Sequence, residues 1–324
     1  GSPHEVLWLE QAEALNAVLP WLDSLDQPSM DGLNTYVISK RVRDAGMVVA
    51  LSGLGGDELF GGYPSFADVP RLGRLLGPLG FVPTGLRGAL GSALARLLST
   101  GRDAVFHQKL TDMLRAGPDP VALALQRRRC FSDAQIARLL GSGTPAPPSG
   151  FLQPGQLDDL PLSSADAISR ISLLESRFYM GNTLLPVGDA TSMAHGLEIR
   201  VPMLDRPMLE LAYRLPGGVR LPEGKADKAL LRRAFPDLLR PELLQQSKRG
   251  FVIPVKRWMQ GALRPVCEAA LDTLMQHDAF QAEAVSQIWQ QFQRRPESPL
   301  WSRVWTLVAL GHYLQRTHDS LIQS

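Results

Sequence analysis

The chain has 324 residues, of which 44% are hydrophobic and 20% are charged, and this balance excludes a disordered chain. Its length predicts about two domains, or one large one. The 34 basic and 32 acidic residues leave a net charge of +2, which gives no bulk field to attract nucleic acid or an anionic membrane. No run of about 18 apolar residues occurs, so no membrane span is expected.

The two cysteines, Cys130 and Cys267, are too few for a disulfide framework and do not form a Cys-x-x-Cys pair. Structural zinc sites usually contain such pairs, so a zinc site is disfavoured. We interpret both residues as reduced thiols, as expected for a cytoplasmic protein. The first two residues, Gly1 and Ser2, are interpreted as a protease-cleavage scar.

The N-terminal part of the chain has the pattern of one α/β unit. Helical segments are predicted at residues 8–22 and 33–45, separated by a polar, turn-rich stretch at residues 26–32. Gly46 ends the second helix, and an apolar run at residues 47–51 follows it. A continuous apolar run with β-branched residues is typical of a buried strand in a parallel sheet, so such a strand is predicted here.

The remainder of the chain is predicted to be mainly helical, without an internal repeat. Because one strand cannot form a sheet, its partner strands are expected upstream of residue 1, and this chain is expected to hold only a remnant of a parallel sheet. Residues 141–161 are rich in glycine, proline and serine and are predicted to be a flexible loop. The predicted helical segments are residues 72–98 with breaks at prolines, 104–114, 121–128, 133–140, 165–185, 207–213, 225–234, 255–259, 263–275, 282–292 and 300–316.

A glycine-rich loop, Ser-Gly-Leu-Gly-Gly-Asp-Glu at residues 52–58, directly follows the predicted strand. Glycines let a backbone turn sharply and approach a ligand, and backbone N–H groups at the start of a helix favour phosphate. An acidic pair repels phosphate, but Asp57 can hold Mg²⁺, which then carries the phosphates. A tight strand–helix turn with Asp57 as N-cap explains the same residues equally well. The loop matches neither Gly-x-x-x-x-Gly-Lys-Ser/Thr nor Gly-x-Gly-x-x-Gly.

Three stretches together resemble the asparagine synthetase family, in the family's order. Residues 51–63, in which the glycine-rich loop continues as Leu-Phe-Gly-Gly-Tyr, resemble its second nucleotide-loop motif. Residues 189–205 resemble a second motif, and residues 228–235 with 247–254 resemble a third. The resemblance covers residues 26–259, and the helical segment at residues 301–314 is also similar to the family.

The resemblance implies an α/β fold of the adenine-nucleotide alpha-hydrolase-like (ATP-pyrophosphatase) type, of which this chain would hold a predominantly α-helical part. It also implies a ligase of asparagine biosynthesis that uses ATP and Mg²⁺ to adenylate a carboxylate, normally that of aspartate. Ammonia made from glutamine in a separate domain then displaces AMP. The implied partners are these small molecules, the glutaminase domain of the same protein and a second copy in a homodimer, with no nucleic acid or membrane.

The resemblance assigns roles to residues of the matching motifs. Asp57 is implied as the carboxylate of the Mg²⁺–pyrophosphate site, and Lys248 as the lysine that contacts the phosphates and the adenylate. These two are the implied catalytic residues. The implied nucleotide-binding residues are Ser52, Gly53, Gly55, Gly56, Glu58 and Lys228.

Several further polar residues of the same motifs have a structural alternative. The densest basic cluster of the chain is Lys225, Lys228, Arg232, Arg233, Lys248 and Arg249, and a solvated basic face is the alternative explanation for it. Lys228 and Arg232, four residues apart, could share a helix face. His195 is interpreted as a satisfied core histidine rather than a base.

The acidic and basic residues of the second motif are interpreted as structural residues near the site. Glu198, Arg200 and Asp205 are predicted to take part in a buried, hydrogen-bonded ion pair that positions the loop. Asp189 is predicted to cap or brace the same loop.

Two parts of the family pattern do not occur in these residues. The pyrophosphate loop Ser-Gly-Gly-x-Asp-Ser is absent, and both cysteines are internal, whereas the glutaminase nucleophile is an N-terminal cysteine. We therefore expect a C-terminal piece of a two-domain amidotransferase that is inactive by itself. In this interpretation residues 3–64 are the remnant of the nucleotide-binding α/β domain, and residues 65–324 are the helical part of the synthetase domain.

Leu54 stands where asparagine synthetases carry glutamate and β-lactam-forming relatives carry tyrosine. Leucine can neither accept a proton nor bind ammonia. The acceptor is therefore either aspartate or a different carboxylate, and a non-catalytic homologue used for partner binding is a further alternative. A generic helical scaffold with a glycine turn is disfavoured because three motifs occur together.

Overall fold

The computed structural model describes residues 4, 6, 8–97, 104–141, 155, 157–222, 228–238, 253–295 and 297–323. The chain divides into two compact units. The first unit comprises Gly1–Ser52, Asn182–Arg200 and Arg249–Ser324, and the second comprises Gly53–Gly181 and Val201–Lys248. The predicted domain boundary at residue 64 stays a prediction, and so does the predicted flexible loop, most of which lies outside the described residues.

Most of the described residues are helical, and two short strands form a small parallel sheet, which confirms the predicted α/β class and its helical character. A π-helix covers Glu175–Leu184, and 3₁₀-helices cover Gly77–Phe81 and Pro202–Leu204. The strands and α-helices in chain order are α1 (Gln11–Asn16), α2 (Val18–Ser24), α3 (Leu33–Asp44), β1 (Val49–Leu51), α4 (Gly56–Phe60), α5 (Ser65–Leu75), α6 (Thr84–Leu97), α7 (Ala104–Ala116), α8 (Pro120–Arg128), α9 (Asp133–Leu140), α10 (Ala167–Leu174), α11 (Leu185–Met193), β2 (Glu198–Arg200), α12 (Arg206–Arg214), α13 (Gly217–Arg220), α14 (Ala229–Ala234), α15 (Val255–Met259), α16 (Arg264–Gln276), α17 (Ala282–Arg294) and α18 (Trp301–Gln323).

The sheet of the first unit joins β1 to β2 in parallel, with Ala50 opposite Ile199. The backbone N–H of Ser52 continues the ladder and donates to the carbonyl of Arg200 at 2.8 Å. The strand predicted at residues 47–51 is thus present in its last three residues. Its predicted burial is wrong for the described residues: Leu51 is 75% exposed, because the described sheet has only two strands and leaves this side chain uncovered.

Two segments predicted as single helices are interrupted, and a proline lies in the first turn of the α-helix that follows each interruption. Residues 8–22 form α1 and α2 with a junction at Ala17, because Pro20 has no N–H to donate to the carbonyl four residues earlier. Residues 165–185 form α10, the π-helix and the start of α11. Pro186 leaves the carbonyl of Asn182 without a helical donor, and the side-chain amide of Gln27 donates to it at 2.8 Å instead.

The first unit is organised around the C-terminal helix α18, which packs against α16 and α2. Trp21 on α2 and Trp305 on α18 are both buried, with ring centroids 6.0 Å apart and planes at 19°. Gly311 lies where α18 crosses α16, and a Cβ at this position would be 2.0 Å from the carbonyl oxygen of Ala270. The missing side chain at Gly311 therefore permits the close approach of the two helices.

The second unit has a core enclosed mainly by α5, α8 and α10. Its fully buried members are Phe66, Val69, Leu123, Ala124, Ile171, Leu174 and Leu221. A smaller cluster of Leu59, Phe60 and Ala212 joins α4 to α12. This second cluster holds α4, the helix that begins within the glycine-rich motif at Gly56.

We expect Gly311→Ala to lower the free energy of unfolding by about 1–3 kcal/mol, because the added methyl group overlaps backbone atoms that cannot rotate away. Urea unfolding followed by tryptophan fluorescence measures the change. Gly261→Ala is the matched control, since a Cβ at Gly261 meets nothing within 4 Å. Equal unfolding midpoints for the two variants would contradict the close contact of α16 and α18.

Candidate functional site

Two glycines of the loop motif adopt backbone conformations that other residues rarely reach. Gly55 has φ 91° and forms the N-cap of α4, and Gly61 has φ 74° and ends that helix. Both are also packed tightly: a Cβ would lie 2.4 Å from a methyl of Leu204 at Gly55 and 2.1 Å from a methyl of Leu221 at Gly61. These glycines are therefore needed for the turn and for its packing within the second unit.

Helix α4 is held at its C-terminal end by hydrogen bonds from the protein interior. The hydroxyl of Ser172 donates to the carbonyl of Glu58 at 2.8 Å, and the guanidinium of Arg220 donates to the carbonyl of Leu59 at 2.8 Å. Arg220 is fully buried and also donates to the hydroxyls of Ser169 at 2.6 Å and Ser172 at 3.2 Å. These donors satisfy the carbonyl groups that a helix leaves unpaired at its C-terminal end.

The structure brings together two of the predicted site residues, Asp57 and Lys228. The Lys228 ammonium lies 3.0 Å from a carboxylate oxygen of Asp57, and both side chains are partly exposed. Lys228 has φ 56°, and among the described residues it is the one non-glycine residue with positive φ. Such a conformation is sparsely populated and is found preferentially at functional sites. Lys228 precedes α14 as its N-cap, so the alternative that it shares a helix face with Arg232 is wrong.

The N-cap alternative for Asp57 is wrong, because Gly55 is the N-cap of α4 and no side chain caps that helix. The Asp57 carboxylate instead folds over Gly62, where a Cβ would lie 1.5 Å from its oxygen. The backbone N–H of Gly62 donates to the Asp57 carbonyl at 2.8 Å. Gly62 therefore makes room for the Asp57 side chain.

Glu58 points in a different direction from its neighbour Asp57. Its side chain is 1% exposed and accepts a hydrogen bond from the hydroxyl of Tyr63. Burial raises the pKa of Glu58, and the nearby charge of Asp57 adds to this effect. Burial and the bond to Glu58 also raise the pKa of Tyr63. The nucleotide contact implied for Glu58 stays a prediction.

Next to Tyr63 lies a cluster that the sequence did not indicate. The Arg128 guanidinium lies 4.4 Å from the ring centroid of Tyr63 and 3.7 Å from that of Tyr179, in cation–π geometry. It also pairs with the buried carboxylate of Glu175 at 2.7 Å, and the Ser65 hydroxyl donates to the same carboxylate at 2.6 Å. Glu175 is the first residue of the π-helix. These residues are distant in sequence and share no recognisable spacing.

Two residues of the second motif, Glu198 and Arg200, lie in the first unit and are not arranged as predicted. Glu198 and Arg200 do form an ion pair at 2.8 Å, but their side chains are 56% and 62% exposed, so the prediction of a buried pair is wrong. Their side chains lie on the open face of β2, on alternate residues of the strand. Asp189 is exposed in the middle of α11, where a side chain cannot cap the helix.

His195 is half-buried against Tyr36, with ring centroids 4.3 Å apart and planes at 62°. Burial lowers the pKa of His195, and the Lys40 charge acts in the same direction. The ring is neutral near pH 7 under these conditions. Its Nε2 has no hydrogen-bond partner among the described residues, so the prediction of a fully satisfied core histidine is only partly correct.

Several predicted site residues cannot be placed. Lys225, Lys248 and Arg249 lie outside the described residues, so the predicted basic cluster is not tested. Ser52 belongs to the first unit and Gly53 to the second. Gly56 is buried in the second unit, where a Cβ would lie 3.8 Å from the Lys228 ammonium. Across the part of the chain that the structure describes, no cluster of three metal-ligating side chains is formed, and no helix is long and apolar enough to cross a membrane.

The structure is an α/β protein in which a parallel strand leads through a glycine-rich loop into a helix that carries an acid next to a lysine. The family model described as Asparagine synthase matches residues 1–315. The chain therefore belongs to the asparagine synthase family.

Two bacterial relatives, from Mycobacterium tuberculosis and Bacillus subtilis, are 28% and 26% identical over 245 and 241 residues. These matches cover 73% and 74% of this chain but 34% and 36% of the relatives, so the chain spans about a third of their length. The Bacillus protein is named asparagine synthetase 1 (glutamine-hydrolyzing). A relative from Gibberella zeae, named amidase chry2, is 24% identical over 269 residues. This match covers 75% of this chain and 37% of the relative's length. No solved structure matches the chain significantly.

We expect the stability of the second unit to fall as the pH rises from the ordinary Glu58 pKa of 4.5 toward its raised value in the folded state. In that window the folded chain binds more protons than the unfolded chain, so the free energy of unfolding decreases with pH. Glu58→Gln keeps a neutral hydrogen-bonding group and removes this dependence. Urea unfolding across the window should show the stability of Glu58→Gln rising relative to the unsubstituted chain.

Glu210→Gln is the control for this measurement, because Glu210 is an exposed carboxylate of the same unit that pairs with Arg206 at 2.9 Å. Its stability should stay close to that of the unsubstituted chain throughout the window, because an exposed ion pair contributes little to stability. A profile for Glu58→Gln that runs parallel to that of the unsubstituted chain would show that Glu58 is not a buried carboxyl group of perturbed pKa.

Proposed function

We propose that the protein containing this chain is an ATP-dependent amidotransferase of the asparagine synthetase type. The observation that carries the proposal is the contact between Asp57 and Lys228 beside the glycine-rich loop, in a chain whose family is established. A partly exposed carboxylate next to a partly exposed ammonium offers one group for a metal ion and one for phosphate oxygens.

In the proposed reaction, a carboxylate oxygen of the acceptor attacks the α-phosphorus of ATP. A new P–O bond forms, and pyrophosphate leaves with the electron pair of the bond that breaks. Ammonia released from glutamine elsewhere in the protein then attacks the acyl carbon, loses a proton and forms the amide as AMP leaves. Negative charge grows on phosphate oxygens in the first step, and fixed cations close to those oxygens lower its barrier.

The residues present fit a Mg²⁺ ion bound together with a nucleotide. Proteins hold Mg²⁺ in such sites with one or two carboxylates plus the substrate phosphates, and Asp57 is a partly exposed carboxylate of this kind. When bound, the ion supplies charge stabilisation for the departing pyrophosphate. Lys228 would hold phosphate oxygens beside it. Lys248 is proposed as a further phosphate contact, supported by the family resemblance of its motif.

Aspartate is the acceptor implied by the resemblance, and a different carboxylate is the second candidate. Leu54 favours the second candidate, because its half-buried aliphatic side chain cannot exchange a proton with an amine or ammonia. The relative named amidase chry2 matches as much of this chain as the Bacillus asparagine synthetase does. Membership of the family therefore leaves the acceptor open.

The proposal includes three further parts that rest on the resemblance and on the cysteines. The ammonia source is a glutaminase domain of the same protein, and two copies form a homodimer. A cytoplasmic location is supported by the cysteine content, because the two cysteines, Cys130 and Cys267, are too few for the disulfide framework of a secreted protein.

We expect Asp57→Asn in the complete protein to lower ATP–pyrophosphate exchange by about 10²-fold or more, because the variant loses the charge that holds the metal–pyrophosphate group. Asp68→Asn is the matched control: Asp68 is also paired with a basic residue of the second unit, Arg127, at 2.6 Å and with similar exposure. It should change the exchange rate less than about twofold. Equal losses in both variants would mean that Asp57 has no direct role in adenylation.

We expect Leu54→Glu to raise aspartate-dependent AMP formation if aspartate is the acceptor, because the variant restores a proton-accepting group in the loop. AMP release is measured with and without aspartate at saturating ATP and ammonia. No gain with aspartate, together with intact exchange on another carboxylate, would establish a different acceptor. Absence of exchange with every carboxylate tested would favour the non-catalytic alternative.

A further inference from the structure

Helix α6 in the second unit packs through its smallest residues. Gly88 and Gly91 are buried against α7, where a Cβ would lie 3.1 Å from the Arg115 side chain and 3.1 Å from the Thr111 backbone, respectively. Helices normally bury their large apolar side chains on such a face. In α6 the face that contacts its neighbour is therefore the one without large side chains.

The large apolar residues of α6 lie on the opposite side and face outward. At 100° per residue, the four leucines of the helix fall within a sector of about 80°, turned away from the glycines. The exposed apolar residues from the end of α5 to the end of α6 are Leu75 at 75%, Phe81 at 96%, Leu86 at 55%, Leu90 at 50%, Leu94 at 41% and Leu97 at 77%. We call the four leucines of α6 the leucine face, and the exposed Leu75 and Phe81 precede it in the chain.

The segment that carries the leucine face is purely basic. Residues 69–97 contain four arginines and no aspartate or glutamate, so this stretch has a charge of +4, whereas the rest of the chain has a net charge of −2. Arg71 and Arg74 are exposed on the last turns of α5. The low net charge of the whole chain thus conceals a local concentration of positive charge next to an exposed apolar surface.

We propose that the leucine face docks on the surface of an anionic lipid bilayer. Leucine and phenylalanine side chains enter the boundary between headgroups and acyl chains, while flanking arginines bind lipid phosphates, which is the arrangement of interfacial helices. The 14 residues of α6 span about 21 Å, short of the ~30 Å hydrocarbon core, so the helix lies on the bilayer and does not cross it.

Two alternatives are less compatible with the same surface. A second copy of the chain would bring two segments of charge +4 together, and like charges at close range oppose such a contact. An uncharged apolar partner would leave the arginines without counter-charges. Anionic lipid satisfies the apolar and the charged residues at once.

The test uses flotation of the 324-residue chain with vesicles of phosphatidylcholine alone or mixed with phosphatidylglycerol. We expect binding to the anionic vesicles only, and its loss in about 1 M NaCl, because salt at this concentration shortens the screening length to ~3 Å. Leu86→Gln combined with Leu90→Gln should weaken binding at least about tenfold. Arg71→Gln combined with Arg74→Gln should also weaken vesicle binding about tenfold or more, since each arginine near the membrane surface raises the binding constant roughly fivefold.

Leu211→Gln is the matched control, because Leu211 lies in the same unit and is 54% exposed, almost equal to Leu86. It should leave vesicle binding unchanged, and all variants should keep the unfolding midpoint of the parent chain because these side chains are exposed. Three results would overturn the proposal: no binding to anionic vesicles, equal binding by the Leu86→Gln, Leu90→Gln variant, or lipid-free self-association in sedimentation that this variant abolishes.

Discussion

The position of the glycine-rich loop depends on how the end of a very short helix is satisfied in the protein interior. Helix α4 has five residues, too few for an isolated helix to be stable in water. Its last carbonyls are buried and are paired by Ser172 and Arg220. The guanidinium of Arg220 presents several donors in a fixed fork, so one side chain binds α4 and α10 together. Through these bonds the buried Arg220 side chain holds α4, and with it the glycine-rich loop, in place.

Because α4 is held in place, the adjacent carboxylates of Asp57 and Glu58 lie in different environments. Successive residues of a helix point about 100° apart, so Asp57 stays partly exposed beside Lys228 while Glu58 enters the core and binds Tyr63. The same acidic pair thus supplies one group available to a ligand and one group that holds the loop. Gly62 contributes by leaving space for the Asp57 carboxylate.

Glycine acts in both units as a means of bringing backbones together. Gly311 brings α18 onto α16 in the first unit, and Gly91 brings α6 onto α7 in the second. The consequences differ, because α18 contributes buried large residues such as Trp305, whereas α6 turns its leucines outward. Close packing through small residues leaves the large side chains of a helix free for a different surface.

The sequence by itself determined the helical class, the parallel strand at β1 and the glycine-rich loop, because each depends on local periodicity or on a contiguous motif. The roles of Asp57 and Lys228 come from the family resemblance of their motifs and stay predictions. The sequence did not determine the pairing of β1 with β2, the burial of Glu58 or the Arg128–Tyr179 contact. Those depend on residues far apart in the chain. Only the tertiary structure decides them, since desolvation and side-chain contact arise from packing between distant segments, for which local sequence patterns carry no signal.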